Sequence, residues 1–179
     1  MIKQPTNWND IREAGGDFPK LTPGGYVAII RKVIDNDADQ YLEIEYDIAE
    51  GEKKGIAASA YERFGSWNYK FRVYYREKSL GFFKHFISEV EKTNNFTFNW
   101  DIKSLVNKGI GIVVGTRQYY GRDGSLKEAP DVQDWCTAQE VREGLLPCTP
   151  KVREPRNAPP QSVAAQPVDT SFDDGELPF

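Results

Sequence analysis

The chain has two cysteines, one histidine and one methionine in 179 residues. Two thiols, Cys136 and Cys148, are too few for a disulfide framework, and one histidine with two cysteines gives no soft ligand set for a structural zinc. A Ser/His/Asp or Cys/His catalytic arrangement has only His85 to draw on, and helical spacing puts that residue on a polar helix side beside Lys84 and Glu89, as a solvated surface histidine. No apolar run approaches the roughly 20 residues needed to cross a bilayer, so no membrane association is expected. The N-terminus, Met1 to Trp8, carries no apolar stretch followed by a small-residue cleavage site, and the expected compartment is the cytoplasm. Gly109-Ile110-Gly111 lacks the third glycine of a dinucleotide fingerprint, and no glycine-rich phosphate loop is present, so no cofactor is expected.

Excess positive charge is lacking too: 23 Lys and Arg face 27 Asp and Glu, a net of −4. The average conceals a segregation. Residues 35–52 hold eight acids and no Lys or Arg, whereas residues 61–86 hold six bases against two acids and ten of the chain's aromatics. Basic and aromatic side chains interleaved in one segment are what a sequence-tolerant single-strand binder needs: ring faces for bases and cations for the backbone. The expected stacking residues are Trp67, Tyr69 and Tyr74, with Arg63, Lys70, Arg72 and Arg76 on phosphates. Arg117, Tyr119, Tyr120 and Arg122 form a second, later set. Aromatics fill cores more often than they bind bases, and Phe71, Phe83 and Phe86 are assigned to the core.

The periodicity supplies a frame. Gly24-Gly25 opens a β-branched run ended at Asp35-Asn36-Asp37, and Tyr41 to Ile48 alternates with period two, which together predict a hairpin. Leu42, Ile44, Tyr46 and Ile48 share the inner face, and Tyr41, Glu43, Glu45 and Asp47 the solvated one. Residues 69–76 alternate again, with Tyr69, Phe71, Val73 and Tyr75 opposite Lys70, Arg72, Tyr74 and Arg76; Tyr69 and the basic pair therefore share a surface only if a bulge intervenes. Ser79 stands as the N-cap of a core-facing helix on Leu80, Phe83, Ile87 and Val90, broadened by Phe82 and Phe86. A short helix over 101–108, a strand from Ile110 to Tyr120, a Gly121–Ser125 turn and a returning strand near Asp131 to Trp135 follow. Thr137-Ala138-Gln139-Glu140 is a capping box for a last short helix ended by Gly144. The glycines at 109, 111 and 115 permit tight strand bending or a bulge.

Five strands with a helix inserted mid-chain fit a mostly β fold: an antiparallel barrel of the oligonucleotide/oligosaccharide-binding (OB) type over residues 16–148, after an N-terminal arm of residues 1–15. Six prolines between Pro147 and Pro167 mark a flexible linker at 149–168, and residues 169–179 form an acidic, disordered tip. Apolar residues at the end of a solvated acidic tail point to a linear motif for a hydrophobic pocket ringed with Lys or Arg, read by Asp173, Asp174, Glu176, Leu177, Pro178 and Phe179.

Asp173-Asp174-Gly175-Glu176-Leu177-Pro178-Phe179 resembles the acidic tip of bacterial single-stranded DNA-binding proteins, which ends in acids, an aliphatic residue, Pro and Phe; here Gly175 interrupts the acids. Residues 16–26 and 41–51 resemble a family of phage replication-module proteins from Gram-positive hosts, a likeness covering about residues 16–148. The resemblance implies a phage-encoded single-stranded DNA-binding protein with the OB barrel, acting in the cytoplasm of an infected bacterium. It also implies partners among replication and recombination proteins, recruited through the tip. Charge complementarity suggests that the tip lies near the basic groove until DNA displaces it. No catalysis is expected. Two other readings remain: a metal-dependent nuclease, because Asp47 followed by Glu52-Lys53-Lys54 loosely resembles an Asp…Glu-x-Lys site, and a protein-interaction adaptor, which requires the 61–86 aromatics to be buried. A homodimer or higher oligomer stays open.

Overall fold

The computed structural model describes residues 19–156, and the β-rich pattern read from the sequence is their architecture. The run after Gly24 forms β1 (Gly24–Asn36), which turns at Asp37–Gln40 into β2 (Tyr41–Ile48). Asn36 Oδ1 accepts from the Asp39 amide at 3.1 Å, and Gln40 takes the left-handed backbone (φ 54°) that closes the turn. Then come α1 (Ile56–Phe64), β3 (Lys70–Tyr74), α2 (Leu80–Asn94), β4 (Gly109–Tyr120), β5 (Leu126–Cys136), α3 (Ala138–Glu143) and the two-residue β6 (Val152–Arg153). The 101–108 helix is a single 3-10 turn, Ile102–Leu105, whose first amides are capped by Asp101.

These strands make one six-stranded sheet in the order β3-β2-β1-β4-β5, with β6 paired to β4. Every pairing is antiparallel except β4–β6. The long β1 serves two partners: Gly24 to Ile29 pair with β4, and Ala28 to Asn36 with β2, with a bulge between Ile30 and Lys32. The sheet is not closed by hydrogen bonds, and β3 and β5 are its edges. They nevertheless approach each other, because Phe71 on β3 lies 5.9 Å, ring to ring, from Trp135 on β5. Phe86 of α2 touches both, at 6.0 and 5.5 Å. The mid-chain helix thus fills the gap between the edges, and Leu42, Ile44, Ile30, Ile110, Val114 and Val90 complete the core.

Several expectations are corrected. Asp47 belongs to the buried interior, not to a solvated face: Oδ1 accepts from the Ile48 and Ala57 amides (2.8 and 2.9 Å), and Oδ2 from Ala58 at 3.4 Å. It satisfies the first amides of α1, a helix that the glycine-bounded turn and the aromatic run after it concealed. Tyr41 is also buried, under the Arg72 guanidinium. The α2 stripe packs only from Phe83 onward, leaving Leu80 exposed and Phe82 68% exposed, and the Ser79 side chain makes no capping bond. Glu89 is buried, with Lys92 Nζ at 2.7 Å. His85 is less solvated than expected: its Nε2 lies 3.1 Å from the Trp135 carbonyl and 3.3 Å from Asp134, tying α2 to β5. Residues 152–153, expected in the linker, are paired to the sheet.

Gly111 is not at a bulge: it pairs in register with Val27 and with Cys136, and the irregularity of β4 falls between Val113 and Val114. A Cβ there would meet the Thr137 carbonyl at 2.6 Å and Val141 at 2.8 Å, so the glycine is what lets α3 lie on β4. The Thr137–Glu140 capping box is present as expected. Among the described residues no helix is long and apolar enough to cross a membrane. The N-terminal arm, most of the linker and the acidic tip lie outside the described residues.

Candidate nucleic-acid interface

The strand alternation that buries Leu42, Ile44, Phe71 and Val73 turns the intervening residues of β2 and β3 outward. The register then brings them together: Tyr41 opposite Tyr74, Glu43 opposite Arg72, Glu45 opposite Lys70. On the other side of β2, Asn36, Ile34 and Lys32 of β1 stand opposite the same three residues. The outer face of three strands is therefore a lattice of three rows. Two rows place a glutamate in the middle strand, Glu45 between Lys32 and Lys70 and Glu43 between Ile34 and Arg72, and one is polar and aromatic.

The aromatic row is held by its own contacts. Tyr41 and Tyr74 are 5.3 Å apart, ring to ring, and Asn36 Nδ2 donates to the Tyr41 hydroxyl at 2.9 Å. Arg72 lies over the Tyr41 ring with Cζ 4.5 Å from its centroid, and Arg76 over Tyr74 at 4.9 Å. Arg76 also donates from Nε to the Asp39 carbonyl, anchoring the Asp37–Gln40 turn to the end of β3. Each such cation–ring contact is worth about 0.5–1 kcal/mol at an exposed site. Each contact also holds a guanidinium over a ring on this outer face, and such cations are groups on which a base can stack.

The charged rows carry their own counter-ion. Glu43 accepts from Lys70 Nζ at 2.9 Å and lies 3.5 Å from Arg72 Nε. The hydrogen bond from Lys70 holds its carboxyl below the usual carboxylate range, against the opposing effect of partial burial. Tyr75, at the end of β3, donates to Asp35 at 2.7 Å, and that bond raises its hydroxyl pKa to about 12.

Of the expected site residues, Lys70, Arg72, Tyr74 and Arg76 come together here. Tyr69 does not: it is 5% exposed, its ring edge-on to Tyr46, its hydroxyl donating to the Pro19 carbonyl, and it offers no face to a ligand. The alternation already set it opposite Lys70, and no bulge intervenes between them. Trp67 is half-buried at the α1–β3 corner, donating from Nε1 to the Tyr69 carbonyl at 3.1 Å and lying 5.9 Å from the exposed Tyr61. Arg63 is exposed, over the Phe64 ring. In the β4–β5 hairpin, Arg117 and Tyr119 share an exposed face, Tyr120 lies half-buried on the other, and Arg122 is in the turn. The register places that hairpin beyond the Gly24 end of β1, whereas Tyr41 and Tyr74 sit beside its Asn36 end.

Tyr41 and Glu43 are site residues that the sequence reading left on an ordinary acidic face. The signal that finds them is the register of β2 against β3, which the connection through α1 sets and the alternation alone does not. Asp47, invoked for a metal site, spends both oxygens on helix amides, while Glu52 and Lys54 are exposed in the following turn. Among the described residues no group of three His, Cys, Asp or Glu side chains is arranged to hold a metal. The 61–86 aromatics are divided between core (Tyr69, Phe71, Phe86) and surface (Tyr61, Phe82). No protein-family model matches the chain, and no curated protein matches it either.

Proposed function

We propose that this protein binds single-stranded DNA without sequence preference, on the outer face of β1–β3, and that its sheet is a partly open OB barrel. The strand order β3-β2-β1-β4-β5, with a helix between β3 and β4 set into the gap between the edge strands, supports the barrel. In that fold the strand 2–3 face and the loops after strands 1 and 4 take oligonucleotides. The observation that carries the functional reading is the Tyr41–Tyr74 pair with Arg72 and Arg76 laid over its rings, on an outward sheet face. A base stacks on the exposed guanidinium planes or displaces Arg76 from Tyr74. Phosphates then take Lys70 and Arg72 from Glu43. Tyr41, being buried, supports this platform rather than forming it.

The role follows from the resemblance: protection of single strands during phage DNA replication and recombination, with Asp173, Asp174, Glu176, Leu177, Pro178 and Phe179 recruiting partner proteins. It is a binder, not a catalyst. The test is intrinsic tryptophan fluorescence during titration with a single-stranded homopolymer and with its duplex, in EDTA, at two salt concentrations. Expected are binding of the single strand in preference to the duplex, a log–log salt slope of about −0.7 per phosphate contacted, and a loss of about 5- to 150-fold in Tyr74→Ala, the worth of one stacked base. Equal binding of both polymers, or none, refutes the proposal; loss of the strand when Mg²⁺ is supplied in place of EDTA replaces it with the nuclease.

A further inference from the structure

Beyond β1, on the side away from β2, the sheet ladder gives way to the segment after α2. The Ile30 amide donates to the Lys108 carbonyl at 2.9 Å, and the Asn107 amide to the Ile30 carbonyl at 2.8 Å, so residues 102–108 run along the edge that β4 leaves free. At the head of this segment Trp100 is 81% exposed, the highest value among the exposed large hydrophobics. Its backbone is left-handed, with φ 66°. That conformation is costly for a bulky side chain and persists only where its surroundings impose it. They do so here. Phe98 is anchored in the core, with its amide donating to Glu91 Oε1 at 2.7 Å; the Asp101 amide donates to Asn99 Oδ1 at 3.1 Å; and the Phe98 ring supports the Trp100 ring at 5.6 Å. A large indole is thus held out into solvent by a strained, well-braced turn, a combination that core packing alone does not require.

The charge on the bulged part of β1 and on the 102–108 segment differs from that on β3. Arg31 and Lys32, at the β1 bulge, and Lys103 are exposed, and Lys108 holds its Nζ over the Phe96 ring at 4.6 Å. None of these four makes an ion pair among the described residues, whereas Lys70 and Arg72 are both engaged by Glu43. The nearby Asp101 accepts from the Lys103 amide. Of these four cations only Lys32 has an acid opposite it in the sheet, Glu45, and among the described residues none is held by a carboxylate as Lys70 and Arg72 are by Glu43.

We propose that the bound strand crosses β1 and continues over Arg31 and Lys32 to Trp100, which is a second stacking platform beyond the Tyr41–Tyr74 site. This rests on the single-strand reading above and extends it by naming where the path leads. From β3 to β1 is two strand spacings, about 10 Å, and the path to Trp100 continues beyond that span, so a strand that reaches it is longer than one that only fills the β1–β3 face.

The test is fluorescence anisotropy of labelled oligothymidylates of about six and about twenty nucleotides with the full chain and with Tyr74→Ala, Trp100→Ala and Trp100→Gly. Trp100→Ala is expected to leave the short strand's affinity within twofold and to weaken the long strand by about tenfold, the order of one lost stack. Trp100→Gly, which suits the left-handed backbone, is expected to lose the same affinity without a fall in Tm, separating binding from support of the fold. If both Trp100 variants match the wild type at both lengths while Tyr74→Ala remains weak, the extended path is wrong and the β1–β3 site stands. An equal loss at both lengths also overturns it, by placing Trp100 inside the minimal site. If the wild type binds neither strand, the underlying reading fails and this one with it.

Discussion

Glu43 offers the sharpest test of the proposed face, because removing a negative charge there should strengthen binding while weakening the fold. Its carboxylate lies 2.9 Å from Lys70 Nζ and 3.5 Å from Arg72 Nε. In the neutral Glu43→Gln side chain both cations are released to solvent. Pairs at the surface are worth about 0.2–1 kcal/mol each, so the fold should lose about 0.5–2 kcal/mol in denaturant unfolding. A strand that no longer competes for the two cations gains a similar amount, about 2- to 30-fold in affinity. The salt slope should steepen by up to about 0.7 for each phosphate newly contacted. The depressed pKa adds a pH arm. Glu43 remains charged through the ordinary carboxylate range, so its stabilising contribution is present above the unfolded value and is lost only as pH falls through the lower folded value. Wild-type affinity should therefore show no gain from this group between pH 8 and 5, and a gain only below the usual carboxylate range. Glu43→Gln binding with unchanged or reduced affinity and an unchanged salt slope would show that Lys70 and Arg72 do not meet phosphate, and the face would have to be abandoned.

Other outcomes follow from the packing. Asp47→Ala strands the buried amides at the start of α1 and should cost about 2–4 kcal/mol, read as a Tm drop on the order of 10 °C; a shift under about 1 kcal/mol would mean that water replaces the carboxylate. Trp135→Ala removes a ring from the contact between β3, β5 and α2 and should cost about 3–5 kcal/mol. Trp135→Phe should cost far less, since the indole nitrogen has no hydrogen-bond partner within the described residues; equal losses in urea unfolding would contradict this. Gly111→Ala drives a methyl against the Thr137 carbonyl, and should destabilise by about 1–3 kcal/mol with loss of α3 contacts in NMR spectra; a neutral result would place α3 away from β4.

What could be read in advance was what the chain specifies locally. The inner faces of β2 and β3, the Gly121–Ser125 turn, and the Thr137–Glu140 cap depend on residues within a few positions of each other, and all are present. The rest depends on partners far along the chain. Asp47 caps a helix ten residues away, so neither its burial nor α1 shows in the alternation that assigns it to a solvated face. Tyr69 lies on the expected face, but only the fold shows that this face is closed. The site was half legible: Lys70, Arg72, Tyr74 and Arg76 announce themselves as a basic and aromatic strand, whereas Tyr41 and Glu43 join them through the register of β2 on β3, two strands separated in the chain by α1. The reach of α2 failed in the opposite direction, since its stripe is correct yet its first turn has no surface beneath it.

The strand that carries most of the binding face is fastened asymmetrically. On its β2 side β3 has a ladder; on its β5 side it has three rings. Hydrogen bonds fix register, whereas ring packing, though it prefers certain angles, pairs no backbone groups, so β3 behaves as a flap with one stiff seam and one compliant one. Its amides should exchange with deuterated solvent well before those of β1, which is laddered on both sides through Ala28 and Ile29. Arg72 and Tyr74 ride on that flap, and a strand laid across the sheet from β3 to β1 would act as a splint for it.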